Sequence, residues 1–260
     1  MSTNDGEVRF VRDGAVAQVV FDRPQARNAM TWRMYEQLGE ICARIREEPG
    51  LRVATFRGAG GKAFVAGTDI AQFLEFTSGQ DGIAYEERME GYLGGLESLP
   101  LPTLAIVEGW AIGGGLAIAA ACDLRIATPG TRFGVPIART LGNCLSVANT
   151  ARLVAALGAP RAKRMLLLAE TIEAEEALAA GFLAEIAAPA DLDSRAAALC
   201  ERVVSNAPIT MRVSKEAIRR LLRSGLPADA DLVRETYGSA DFREGMSAFL
   251  EKRVPKWTGR

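Results

Sequence analysis

Two glycine-bearing segments, Ala66-Gly67-Thr68-Asp69-Ile70 and Gly109-Trp110-Ala111-Ile112-Gly113-Gly114-Gly115, each lead from an apolar run into a predicted helix. Glycine lets the main chain approach a ligand closely, and a helix start adds unpaired N–H donors and the positive end of a dipole. Two such turns can aim two N–H groups at one oxygen, which is the construction of an oxyanion hole. Taken alone, such glycines serve more often in packing or phosphate binding, but the phosphate devices do not fit. A dinucleotide fingerprint needs G-x-G-x-x-G and an acidic residue about twenty positions on. Gly113-Gly114-Gly115 lacks that spacing, although Asp123 follows. A phosphate loop fails as well, because Ala63 follows Lys62 and Phe56 stands where its first glycine belongs.

Around these turns the first half alternates strands and helices. Ala15–Phe21 reads as a strand, and Thr31 caps a helix whose Met34, Leu38, Ile41 and Ile45 recur at helical spacing until Pro49-Gly50. Leu51–Arg57 is the next strand, followed by the first turn and a helix over about Ile83–Leu99 that Pro100 and Pro102 end. Thr103–Val107 leads into the second turn, a small-residue helix over Gly114–Ala121 and the strand Leu124–Ala127. A loop spans Pro136–Cys144 before a helix ending near Gly158. From Leu192 the pattern is helical, with breaks at Asn206-Ala207-Pro208 and Gly225-Leu226-Pro227. The prediction is an α/β core over residues 1–191 and a helical region over 192–260.

The chain has no histidine, which removes Ser-His and Cys-His nucleophile pairs, a histidine general base and histidine metal ligands. Cys42, Cys122, Cys144 and Cys200 form no C-x-x-C pair, so neither a metal site nor a disulfide framework is expected, and a reducing cytoplasm fits best. With a net charge of −1 and scattered Lys and Arg, nothing marks a nucleic-acid or anionic-membrane partner. The first residues carry no secretory pattern, and no apolar run reaches membrane-spanning length.

Six segments in order carry a likeness to a known family. They are Asp22-Arg23-Pro24 with Arg27-Asn28-Ala29-Met30, Lys62-Ala63-Phe64 with Ala66 to Ile70, Pro102 through Gly115, Cys122 through Ala127, Phe133-Gly134-Val135-Pro136, and Arg243 through Arg253. Together they resemble the crotonase (enoyl-CoA hydratase/isomerase) superfamily. The resemblance implies a spiral core of repeated β-β-α turns and a C-terminal helical trimerisation region, with trimers often paired into hexamers. It places the two oxyanion donors on the N–H groups of Thr68 and Gly114, facing a thioester oxygen. It sets the backbone at Ala66 against the adenine of coenzyme A, Arg27, Asn28 and Ala29 along the coenzyme, and Lys252 at its phosphates, from this subunit or another. Asp69, Ile70 and Gly113 count among the substrate-binding positions of the same turns. Coenzyme A is part of the substrate, and no separate cofactor is expected. Lys252 reads equally well as a surface charge.

The sequence departs from the hydratases at both of the positions that carry their acid–base glutamates, which here are Ala117 and Ile137. Glu90 becomes the carboxylate candidate, twelve residues before Pro102, where the aligned helix of the related 4-chlorobenzoyl-CoA dehalogenases presents a functional side chain. Its helix also holds Gly91, Gly94 and Gly95, a costly composition unless another backbone or a ligand comes close. The alternative sets Glu90 on a solvated flank with Glu86 and Glu97. Arg139 can bind a second substrate carboxylate or serve as a surface or ion-paired arginine. Cys144, without a histidine partner, reads as a small apolar loop residue rather than a nucleophile.

The expected function is that of an acyl-CoA enzyme stabilising a thioester enolate. Decarboxylation suits the missing glutamates, because loss of carbon dioxide generates the enolate without a base. Isomerisation through Glu90, a non-catalytic coenzyme A binder and an aldehyde-releasing lyase stay open beside it.

Overall fold

The computed structural model describes residues 5–259, so the N-terminal stretch read for a secretory signal lies partly outside them. Strands β1 (Glu7–Asp13) and β2 (Val16–Asp22) form an antiparallel hairpin ahead of helix α1 (Trp32–Glu47). Three β-β-α passages follow. The first is β3 (Val53–Gly58), β4 (Val65–Ala66) and α2 (Gly79–Glu97), and the second is β5 (Thr103–Val107), β6 (Trp110–Ile112) and α3 (Gly114–Ala121). The third is β7 (Leu124–Ala127), β8 (Arg132–Gly134) and α4 (Ile137–Thr140). Then come α5 (Val147–Leu157), α6 (Ala159–Leu167), β9 (Thr171–Glu173), α7 (Ala174–Ala179) and β10 (Glu185–Ile186). Helices α8 (Leu192–Ser205), α9 (Pro208–Arg223), α10 (Ala230–Tyr237) and α11 (Ala240–Leu250) complete the chain.

Each passage sends its first strand to one sheet and its second to another. The larger sheet has six strands in the order β1-β2-β3-β5-β7-β10, and the smaller has four in the order β4-β6-β8-β9. The strands of successive passages pair in parallel in both sheets. The result is the expected spiral of β-β-α turns. Its main apolar core lies under α1, α2 and α3 and includes Phe21, Leu38, Phe56, Phe64 and Leu116, each at most 1% exposed.

Thr31 caps α1 as expected, its side chain accepting from the Met34 N–H. The sequence reading has no counterpart for β1, because β1 is an edge strand with mostly exposed residues and lacks the alternation that marks a half-buried strand. Strands β4, β6, β8, β9 and β10 are two or three residues long, too short to display a period. Helix α2 begins one turn before the expected Ile83 because Ser78 and Asp81 form a capping box. The Pro136–Cys144 loop contains the short helix α4.

The glycines of α2 divide differently from the sequence expectation. A Cβ at Gly91 or Gly95 would meet nothing within 4 Å, and one at Gly94 would meet only the ends of the Glu90 and Arg223 side chains. The close approaches are at the helix start. There a Cβ on Gly79 would lie 2.2 Å from the Arg234 carbonyl oxygen, and one on Gly82 would lie 2.2 Å from the Tyr237 ring. These glycines let α10 lie against α2. Gly91→Ala is therefore expected to raise stability by about 1 kcal/mol, from helix propensity without a packing cost, and Gly82→Ala to lower it. Thermal melts of the two variants check both signs.

From Leu192 onward every element among the described residues is a helix. This region is not set apart from the core. Val233, Tyr237, Phe242 and Met246 from its last two helices share an apolar cluster with Phe73, Ile83 and Leu141. No helix among the described residues is long and apolar enough to cross a membrane.

Candidate active site

The two glycine turns meet because the strands before them pair. Val65 and Ala66 of β4 register against Ala111 and Ile112 of β6, in parallel, so Thr68 and Gly114 each follow two residues beyond the matched pair Ala66 and Ile112. Gly67 (φ 101°) and Gly113 (φ 54°) turn the chain in the left-handed region that glycine adopts without strain. Gly114 is the first residue of α3, so its N–H has no intrahelical partner. Among the described residues neither the Thr68 nor the Gly114 N–H has an acceptor. A Cβ on Gly115 would fall 1.9 Å from the Val65 carbonyl oxygen, so glycine there seats α3 directly on β4.

A third segment joins the turns. The Ala66 N–H donates to the Arg27 carbonyl, the Met30 N–H to the Gly67 carbonyl and the Asp69 N–H to the Met30 carbonyl. Arg27 and Asn28 both take left-handed backbone angles, at φ 52° and 58°. The buried Asn28 side chain sustains them, accepting from the Arg23 N–H and donating to the carbonyls of Ala59 and Ala63. Asn28 is thus a fastener of the loop rather than part of the cavity wall. Arg23 pairs with Asp69 at 2.8 Å and also donates to the Ala29 carbonyl, locking the two segments together.

These segments open onto a cavity of about 560 Å³. Thr68, Gly114, Arg27, Ala29, Ala66 and Asp69 line it, as do Ile70 and Gly113. Beyond the turns its wall is largely apolar, with Met89, Leu93, Ala117, Ile137, Leu141 and Leu145. Cys144 lies there too, half-buried, with its thiol pushed up to about 11 by burial, so it presents no thiolate. The tail contributes Phe249.

Three expected residues lie elsewhere. Glu90 does not line the cavity. Its carboxylate receives Arg152 at 2.8 and 3.0 Å and Arg223 at 2.5 Å, on the side of α2 that faces α5 and α9. Neither a free catalytic carboxylate nor a solvated flank describes it. Arg139 sits on α4 with its side chain exposed, and the cavity wall there is made by Ile137 and Thr140. Lys252 is exposed just after α11, outside the cavity lining.

The sequence reading placed Glu86 on a solvated flank, but the residue is 6% exposed and lines the cavity. Tyr237 donates to its Oε1 at 3.0 Å and the Ser146 N–H to its Oε2 at 3.1 Å. Burial raises its carboxyl pKa, and the hydrogen bonds from Tyr237 and Ser146 offset this only in part. Two tyrosines, Tyr35 and Tyr85, line the same space, and Tyr237 stands behind Glu86. Tyr35 Oη lies 2.9 Å from Thr68 Oγ1, which lies 3.3 Å from Tyr85 Oη. Burial pushes Tyr35 up to about 12 and holds Tyr85 and Tyr237 well above their ordinary values, so all three remain donors. A signal for Glu86 existed in the sequence: with Met89, Leu93 and Leu96 it completes a helical stripe, and all three of those residues are buried. Tyr237 had none, since it arrives from α10, far along the chain.

An enzyme-family model described as enoyl-CoA hydratase/isomerase matches residues 12–260. A short-chain-enoyl-CoA hydratase from Clostridium acetobutylicum is 34% identical over 251 residues, covering 93% of this chain and 94% of that protein. Among solved structures, an enoyl-CoA hydratase/carnithine racemase from Magnetospirillum magneticum superposes with a TM-score of 0.80 at 30% identity, covering 97% of this chain and 96% of that one. A methylmalonyl-CoA decarboxylase in complex with 2-nitronate-propionyl-CoA superposes with a TM-score of 0.89 at 26% identity, covering 97% and 98%.

Proposed function

The chain belongs to the enoyl-CoA hydratase/isomerase family, and on that premise we propose that it binds an acyl-CoA with the thioester oxygen between the N–H groups of Thr68 and Gly114 and stabilises the enolate. The observation carrying this reading is the pair of N–H groups without acceptors on adjacent turns at an apolar cavity. Charge develops on the thioester oxygen as the enolate forms, so fixed donors favour the transition state over the neutral ester. Coenzyme A enters as part of the substrate, lying along Arg27, Ala29, Ala66, Asp69, Ile70 and Gly113.

Within the family we favour decarboxylation of a malonyl-type thioester over hydration. Ala117 and Ile137 offer no carboxylate to activate water. Loss of carbon dioxide needs no base. Beyond the turns the described lining holds no lysine or arginine to fix a substrate carboxylate, Glu86 being its one ionisable carboxyl, so a carboxylate there is destabilised more than the spreading charge of its breakdown. Incubation with methylmalonyl-CoA is expected to release carbon dioxide and form propionyl-CoA, while crotonyl-CoA stays unhydrated. Rapid hydration of crotonyl-CoA would overturn the choice.

We further propose assembly as a homotrimer, or as a dimer of trimers, in the cytoplasm. Helix α9 supports the assembly, with Ile209, Val213, Ile218, Leu221 and Leu222 all more than half exposed. In such an assembly Lys252 has the reach of a neighbouring subunit's coenzyme phosphates as its remaining role.

A further inference from the structure

Glu86 is not one of the oxyanion donors, yet the fold places it in the cavity wall beside Met89, Asn149 and Tyr85. Of the two carboxylates lining the cavity, Asp69 is occupied by the Arg23 guanidinium and the Ala71 N–H. Glu86 has no ion pair among the described residues and is held by neutral donors instead. Those donors come from α10, from the residue before α5 and from α5 itself, where Asn149 adds a further bond. Behind them, Asn143 donates to Tyr237 Oη at 3.2 Å, while its own Oδ1 is buried without a partner among the described residues. The contrast within one helix is informative. Glu90 and Glu97 of α2 are both paired with arginine, as buried carboxylates generally are. Glu86 is more buried than either, faces the substrate space and is left neutralisable.

We propose that Glu86 is a catalytic acid–base residue that exchanges a proton with the α-carbon of the bound thioester. This rests on the enolate reading above. In the protonating direction the Glu86 O–H bond breaks and a C–H bond forms from the enolate π pair. The thioester C=O is restored, and the resulting carboxylate is received by the Tyr237 O–H and the Ser146 N–H. The reverse step removes the α-proton and returns the electron pair to the oxygen held by Thr68 and Gly114. After loss of carbon dioxide from a malonyl-type thioester, the same protonation completes the reaction. The other titratable side chains at this end do not compete as bases, since burial keeps Tyr35, Tyr85 and Cys144 protonated. Burial also favours the protonated form of Glu86 itself.

Butyryl-CoA in D2O isolates the proton step, because it has no carboxylate to lose. The wild-type protein is expected to incorporate deuterium at the α-carbon, followed by mass spectrometry. Glu86→Gln is expected to slow incorporation by roughly 100-fold, the scale of general acid–base catalysis, while calorimetry still detects butyryl-CoA binding. Wild-type exchange in Glu86→Gln would overturn the assignment and leave the enolate reading standing. Binding without any exchange by the wild type would overturn the enolate reading and this assignment with it. Where Glu86→Gln does not fold, Glu86→Asp retains the acceptors but draws the carboxyl back by a methylene. A clear loss of exchange there supports the assignment, and an undiminished rate overturns it.

Discussion

Gly114→Ala is expected to lower kcat by about 10²–10³-fold on any thioester this protein turns over, the cost of losing one oxyanion donor. The backbone angle at Gly114 is not the obstacle, since it is an ordinary first helical residue. The obstacle is space: a Cβ there would stand 2.5 Å from Tyr35 Oη and 3.3 Å from Thr68 Oγ1. Tyr35 is 2% exposed and bonded to Thr68, so it has little room to retreat, and the turn carrying the N–H must move instead. This account predicts its own rescue. Tyr35→Phe removes the clashing oxygen, and the next ring atom, Cζ, lies at 3.8 Å, an ordinary contact. The double variant Gly114→Ala/Tyr35→Phe is therefore expected to recover much of the lost kcat. A double-mutant cycle on kcat and on butyryl-CoA binding reads the coupling. Equal losses in the single and double variants would refute the steric account, as would full activity in Gly114→Ala, which would mean that the turn accepts the methyl without moving its N–H.

Arg152→Met is expected to cost up to about 3 kcal/mol of stability, because it leaves two partly buried carboxylates sharing the single guanidinium of Arg223. The Arg152 side chain is 6% exposed. It makes its ion pairs with Glu90 and Glu97 from α5, and Arg223 of α9 closes the group from the other side. The cluster ties α2, α5 and α9 together. Burial raises the Glu97 carboxyl, but the hydrogen bonds and charges of Arg152 and Arg223 together outweigh it and hold the group below its ordinary value of 4.5. A depressed folded-state pKa gives stability that is present above the unfolded value and is lost as pH falls through the folded one. Wild-type stability is thus expected to decline below about pH 4.5 as Glu97 protonates. Arg152→Met should be weaker at neutral pH and show a flatter decline in acid. Urea denaturation across that range measures both. A loss under about 1 kcal/mol would mean that the pairs behave as solvent-screened surface contacts.

The same cluster explains why Glu90 and Glu86 exchange places between sequence and structure. Both lie on α2 at helical spacing with Glu97, and the one local distinction is that Glu86 shares the stripe of Met89, Leu93 and Leu96. What separates them is what faces each turn of the helix. Asn149 on α5 and Tyr237 on α10 meet Glu86, whereas Arg152 and Arg223 meet Glu90. Arg139 illustrates the same limit. Its loop was legible, but the turn of helix at Ile137–Thr140 presents Ile137 and Thr140 to the cavity and leaves Arg139 exposed.

By itself, the sequence determined the alternation of strands and helices, the two glycine turns, the family, and Ala117 and Ile137 at the positions where the resemblance puts the hydratase glutamates. These are local or ordered features: apolar period, glycine spacing and the identity of residues at matched positions all survive in one dimension. Only the tertiary structure decided that β4 and β6 pair in register and bring Thr68 beside Gly114. It also decided which carboxylate of α2 lines the cavity. Burial and partnership depend on segments far apart in the chain, and Tyr237 stands 151 residues from the Glu86 it holds.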